Sequence, residues 1–138
     1  MQNQNVIIER DAWFKEAETA EKSAMVGTAK ALVSATMEIG VEEQDRRNTW
    51  INDADTFLAR QCTECARTVF AELLSLFATS QTLWIKAAQI EKQYGTKETV
   101  DDVLARAVQA VPQSDTLWLM GAKEKWLTVR LSYFFSLV

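Results

Sequence analysis

The sequence predicts an all-α chain, a right-handed α-solenoid of about three and a half antiparallel helix-pair repeats. Three observations predict it. Trp13, Trp50, Trp84 and Trp118 recur at intervals of 37, 34 and 34 residues, and each is followed four residues later by Ala, at Ala17, Ala54, Ala88 and Ala122. A period in the mid-thirties belongs to two-helix units that bury their apolar faces only by stacking on one another. The apolar positions after each Trp follow a helical spacing of three and four, not the alternation of a strand. Four Gly and one Pro in 138 residues are also few for an all-β chain with its many turns.

The first helix of each repeat, helix A, is read from the Trp. Phe14, Ile51, Ile85 and Leu119 stand one residue after it, and Ala stands at +4, where a small side chain lets another helix approach closely. Trp13, Ala17, Trp50, Ala54, Trp84, Ala88, Trp118 and Ala122 are therefore the expected repeat core. Polar residues fill the opposite side: Lys15, Asn52 and Lys86 at +2, and Glu18, Asp55, Gln89 and Lys123 at +5.

The second helix, helix B, carries its stripe at +16, +19, +20 and +24. In the first repeat these are Ala29, Leu32, Val33 and Met37. The second has Ala66, Val69, Phe70 and Leu74, and the third Val100, Val103, Leu104 and Val108. A charged connection, Ile39 to Arg47, lengthens the first interval. Ser80 and Ser114 are expected to cap the next helix A, since a hydroxyl there accepts from a free amide of the first turn. Gly95, at +11, is the expected left-handed residue closing helix A of the third repeat. Pro112 cannot continue the helix before it.

These elements place a repeat domain at 9–126, with repeats near 9–46, 47–79, 80–113 and a half repeat at 114–126. Residues 127–138 form a divergent apolar tail. It holds no turn residue between Trp126 and Arg130, so helix A is free to run on through it. Helix A without its partner leaves apolar surface for self-association.

Composition removes several classes of function. There is no histidine, hence no side chain of the type that most often serves as general base, pH switch or transition-metal ligand. The net charge of −4 disfavours a phosphate-binding groove, and no apolar run is long enough to span a membrane. Cys62 and Cys65 form a Cys-x2-Cys, but a structural zinc needs two further Cys or His ligands and a thioredoxin-like site needs a preceding strand. The pair reads as packing in an intracellular, reducing compartment. No catalytic residue, cofactor or metal is expected, and the chain is not read as an enzyme. Lys15, Asn52 and Lys86 are the candidate partner-binding residues, a stripe that repeats along helix A and suits an acidic peptide or a carboxylate.

At the level of motifs the chain resembles the half-a-tetratricopeptide (HAT) repeat family. Ala66-Arg67-x-Val69-Phe70 is similar to the opening of that family's helix B, and Trp84-x2-Ala87-Ala88-x-Ile90-Glu91 to its helix A. Arg106-Ala107, Pro112 and the pairs Leu83-Trp84 and Leu117-Trp118 complete the pattern. The strings Ile39 to Trp50 and Leu117 to Trp126 resemble the members that bridge components of the U4/U6-U5 tri-snRNP. The resemblance implies a nuclear, non-catalytic protein–protein scaffold for pre-mRNA splicing, with tri-snRNP components as partners. Those members are far longer, so this chain reads as a fragment. Departures are Ala20 and Phe57 at +7, and Asp101 at +17 where the earlier repeats carry Lys30 and Arg67. A helical-repeat RNA-binding module and a peptide-clamping co-chaperone module are the alternative readings.

Overall fold

A computed structural model describes the backbone of residues 2–136 and the side chains of residues 9–127, 129 and 136. Seven α-helices and no strand occur among the described residues. In chain order they are α1 (Gln2–Lys22), α2 (Val26–Thr36), α3 (Arg46–Ala59), α4 (Thr63–Leu76), α5 (Gln81–Tyr94), α6 (Lys97–Ala110) and α7 (Asp115–Ser136). One 3-10 turn, Glu43–Asp45, lies in the connection to α3. The chain divides into two compact units, Met1–Leu76 and Phe77–Val138.

In the first unit α1 pairs with α2 and α3 with α4, while α4 also lies against α2 and α1. In the second, α5 pairs with α6, and α7 packs on both. The expected helix-B stripes are the core of these pairs. Ala29, Val33 and Met37, then Ala66, Val69, Phe70 and Leu74, then Val100, Val103 and Leu104 are buried, whereas Leu32 and Val108 are only partly covered. Leu73 and Ala107, at +23, are fully buried beside them.

Helix A is less regular. Trp50 is 1% and Trp84 5% exposed, with Ala17, Ala54 and Ala88 buried beneath the repeats. Trp13 and Trp118 are instead 48% and 54% exposed, and Ala122 is exposed with Trp118. The expectation of four equivalent buried indoles is thereby corrected. The physical reason is cover from neighbouring helices. Trp50 is closed in by the end of the preceding α2, and no such helix precedes Trp13 among the described residues. No helix B follows α7 among them either.

Where the indoles can find an acceptor they do so in a regular way. The Trp84 indole N–H donates to the Ala78 carbonyl (2.7 Å) and that of Trp118 to Pro112 (2.8 Å), each six residues back. The longer first connection breaks that spacing, and the Trp50 indole donates to Met37 at the end of α2 (3.0 Å).

The helix A to helix B turns depart from the expectation for Gly95. Ala24 (φ 65°) and Gln61 (φ 63°), the +11 residues of the first two repeats, are left-handed. In each case the turn closes with a pair of bonds around that residue. The amides of Met25 and Ala24 donate to Ala20 and Glu21, and those of Cys62 and Gln61 to Phe57 and Leu58 (2.8–3.0 Å). Gly95 itself is extended, at φ −98° and ψ −159°. Glycine is needed there for space: an added Cβ would stand 2.8 Å from the Glu91 carbonyl and press on the Glu91 and Thr99 side chains. In this repeat α6 starts with a reciprocal cap, in which the Thr99 amide donates to the Thr96 hydroxyl and the Thr96 amide to that of Thr99.

Ser114 caps α7 through the Leu117 amide (3.2 Å), whereas Ser80 occupies the N-cap of α5 without a side-chain cap bond. α7 runs unbroken for 22 residues, so the 126/127 boundary marks no change in the backbone. None of the described helices is long and apolar enough to cross a membrane.

Candidate functional site

Lys15 and Asn52, one repeat apart in sequence, line a single groove of about 290 Å³ between α1 and α3 in the first unit. Lys86 lies half-buried on α5 in the second unit. The expected stripe therefore supplies two residues to one site.

The groove floor is aromatic. Phe14 and Phe57 meet edge to face, their ring centroids 5.1 Å apart at 68°. This contact uses the +1 residue of the first repeat and the +7 residue of the second, and so depends on Phe57, one of the departures from the repeat pattern. Asp11, Lys15, Asn52 and Thr56 form the rims.

Ion pairs between the two helices hold the groove at a set width. Arg10 makes a two-pronged contact with Asp53, Nη1 to Oδ1 at 3.1 Å and Nη2 to Oδ2 closer still, and both side chains are only 11% exposed. Its guanidinium also covers the Phe14 ring at 4.6 Å and donates to the Met37 carbonyl at 3.2 Å. That is the carbonyl which accepts from Trp50, so one acceptor ties α1, α2 and α3 together. Farther along, Arg60 donates to Glu18 at 2.8 Å. An Arg–carboxylate fork restricts geometry as well as supplying attraction, because both planar groups must align.

Sequence reasoning missed these pairing residues. Arg10 and Asp53 are 43 positions apart and Glu18 and Arg60 are 42, and their offsets from the Trp positions do not match. An acid at +3 gives no distinguishing signal, since the first repeat carries exposed Glu16 there as the second carries Asp53.

Glu21 was also unanticipated. Its carboxylate accepts from the Cys65 amide at 2.7 Å, satisfying a free donor in the first turn of α4 from the previous repeat. Cys62 and Cys65 are both fully buried beside it. Burial raises both thiols above their ordinary value of 9.0, and the Glu21 charge raises them further. These thiols are packing residues held in the neutral form, not nucleophiles poised to react.

The arrangement has the makings of a binding surface for a polypeptide. Asn52 offers a donor and an acceptor for a backbone and Lys15 an exposed cation, while Phe14 and Phe57 beneath them are buried, 7% and 2% exposed, and support the groove rather than contact a ligand. Asp11, Glu18 and Asp53 share the groove with Lys15 and Arg60. This mixed charge does not form the cationic track that a phosphate backbone requires.

Comparison with known proteins gives the family. Residues 36–128 match the family described as PRP39 N-terminal HAT repeat. The chain is 41% identical over 104 residues to the pre-mRNA-splicing factor prp1 of Schizosaccharomyces pombe, covering 75% of this chain and 12% of that protein. It is 41% identical over 83 residues to the human pre-mRNA-processing factor 6, covering 60% of this chain and 9% of that protein. Protein STABILIZED1 of Arabidopsis thaliana is 48% identical over 83 residues, with coverages of 60% and 8%. The chain thus spans about a tenth of the length of these relatives.

Proposed function

The chain belongs to the PRP39 N-terminal HAT repeat family, and from that premise we propose that it acts as a non-catalytic protein–protein scaffold in pre-mRNA splicing. The observation that carries this reading is the α1–α3 groove, where Lys15 and Asn52 stand on opposite helices over the Phe14–Phe57 floor. The mechanism is geometric. Helices braced by Arg10–Asp53 and Arg60–Glu18 hold the rims at a fixed separation, and a partner segment lays its backbone against Asn52 and an acidic side chain against Lys15. Preformed geometry lowers the ordering cost of binding.

Components of the U4/U6-U5 tri-snRNP, in the nucleus, are the partners we assign. Relatives named as splicing factors support that setting. The carboxylates in the groove favour a protein partner over RNA. Lys86 on α5 of the second unit is a further candidate contact, and the exposed apolar side of α7, with Trp118 and Leu119, is available for self-association.

Tagged chain and a Lys15→Glu/Asn52→Ala variant, incubated with nuclear extract after RNase treatment, test the reading. Splicing proteins recovered by the native chain and depleted with the variant are expected. Equal recovery by both, or recovery that disappears with RNase, contradicts it.

A further inference from the structure

The α1–α3 groove carries a charge pattern that narrows the kind of segment it takes. Its charged lining residues are Asp11, Lys15, Glu18, Asp53 and Arg60. Most of that charge is spent inside the chain, since Arg10 holds Asp53 and Arg60 holds Glu18 at 2.8 Å. Asp11 and Lys15 are different. Both are exposed, and neither forms an ion pair among the described residues. The neighbouring acids Glu16 and Asp55 lie outside the lining. On the α3 wall the remaining groups are neutral, Asn52 and, one turn later, Thr56. The uncompensated charge of the groove therefore stands on α1 alone, an acid followed one turn later by a base.

Spacing and hydrogen bonding decide what can use that pair. Four helical residues separate Asp11 from Lys15, a rise of about 6 Å along α1. An extended chain advances about 6.7 Å over two residues and returns its side chains to the same face. A helical segment could match the distance too, but its backbone groups are already paired internally. The Asn52 side-chain amide makes no hydrogen bond among the described residues, and it needs a free backbone N–H and C=O opposite it. Only the extended segment supplies both.

We propose that the groove selects an extended segment of a partner protein with a Lys or Arg against Asp11 and, two residues away in either chain direction, an Asp or Glu against Lys15. Asn52 pairs with the backbone between them. This inference rests on the groove being a polypeptide site and adds the charge pattern of what enters it.

Short random peptides displayed on phage and selected on the native chain test it. Peptides also retained by an Asn52→Trp chain, whose groove is filled and whose helix content is checked by circular dichroism, are discarded. Among the rest, a base and an acid at i and i+2 are expected to be enriched about 2–5-fold over pairs of like charge, the range of a solvent-facing ion pair. An Asp11→Lys chain is expected to select two acids at that spacing, and a Lys15→Glu chain two bases. The same peptides from all three chains, or enrichment at the helical spacing i and i+4, overturn the charge pairing and leave the groove as a peptide site. If no peptide distinguishes the native chain from Asn52→Trp, the pairing and the groove reading both fall.

Discussion

At the Met37 carbonyl, donors from two helices converge, Arg10 from α1 and the Trp50 indole from α3. The four Trp residues look alike in sequence, yet this one carries more of the structure than its counterparts. Trp50→Ala is expected to cost about 3–5 kcal/mol, as for other large buried aromatics. Trp118→Ala removes a half-exposed ring and one hydrogen bond, and is expected to cost about 1 kcal/mol. Urea unfolding of the two variants measures the difference. Asp53→Ala removes the carboxylate of a part-buried pair while Arg10 keeps its bond to the Met37 carbonyl, and the expected loss is about 1.5–3 kcal/mol, as for a hydrogen bond to a charged group. The Cys65 thiol gives a pH signature. Its folded value lies above the unfolded one, so its contribution is whole below pH 9.0 and declines as the unfolded thiol ionises at higher pH. Unfolding midpoints from pH 7 to 10 are expected to fall more steeply for the native chain than for Cys65→Ala.

Among the elements, the helix-B stripes were legible because three consecutive repeats carry the same apolar spacing, and ten of the twelve expected residues are buried, Leu32 and Val108 being partly covered. Helix-A phase was less so. In α1 the buried line runs through Arg10, Phe14, Ala17 and Glu18, and two of those four are charged. A hydrophobic pattern cannot register a buried charge whose partner lies some 40 residues away. Turn chemistry misled in the opposite direction. Position +11 is left-handed where the sequence has Ala24 and Gln61, and extended where it has Gly95. Gln61→Gly therefore relieves a strained residue and is expected to stabilise the chain by about 1 kcal/mol, read as a higher unfolding midpoint. Glu21→Ala removes the carboxylate that caps α4 from α1, with an expected loss of about 1 kcal/mol.

On the scale of the whole molecule, the repeat period predicted the helix pairing and the motifs around Ala66 and Trp84 carried the resemblance to the family, while the candidate site was half visible. Lys15 and Asn52 stood out by recurrence at +2. The Phe14–Phe57 floor and the bracing ion pairs did not, because they join different positions of successive repeats. The central claim is that a polypeptide segment occupies this groove. A photo-crosslinking amino acid at position 52, with a second chain labelled at exposed Ser75 of α4 as reference, tests it in RNase-treated nuclear extract. Crosslinks from position 52 to a splicing protein, absent from position 75 and lost with Lys15→Glu, are the predicted result. Position 52 crosslinking no more than position 75, or to the same proteins, would contradict the account.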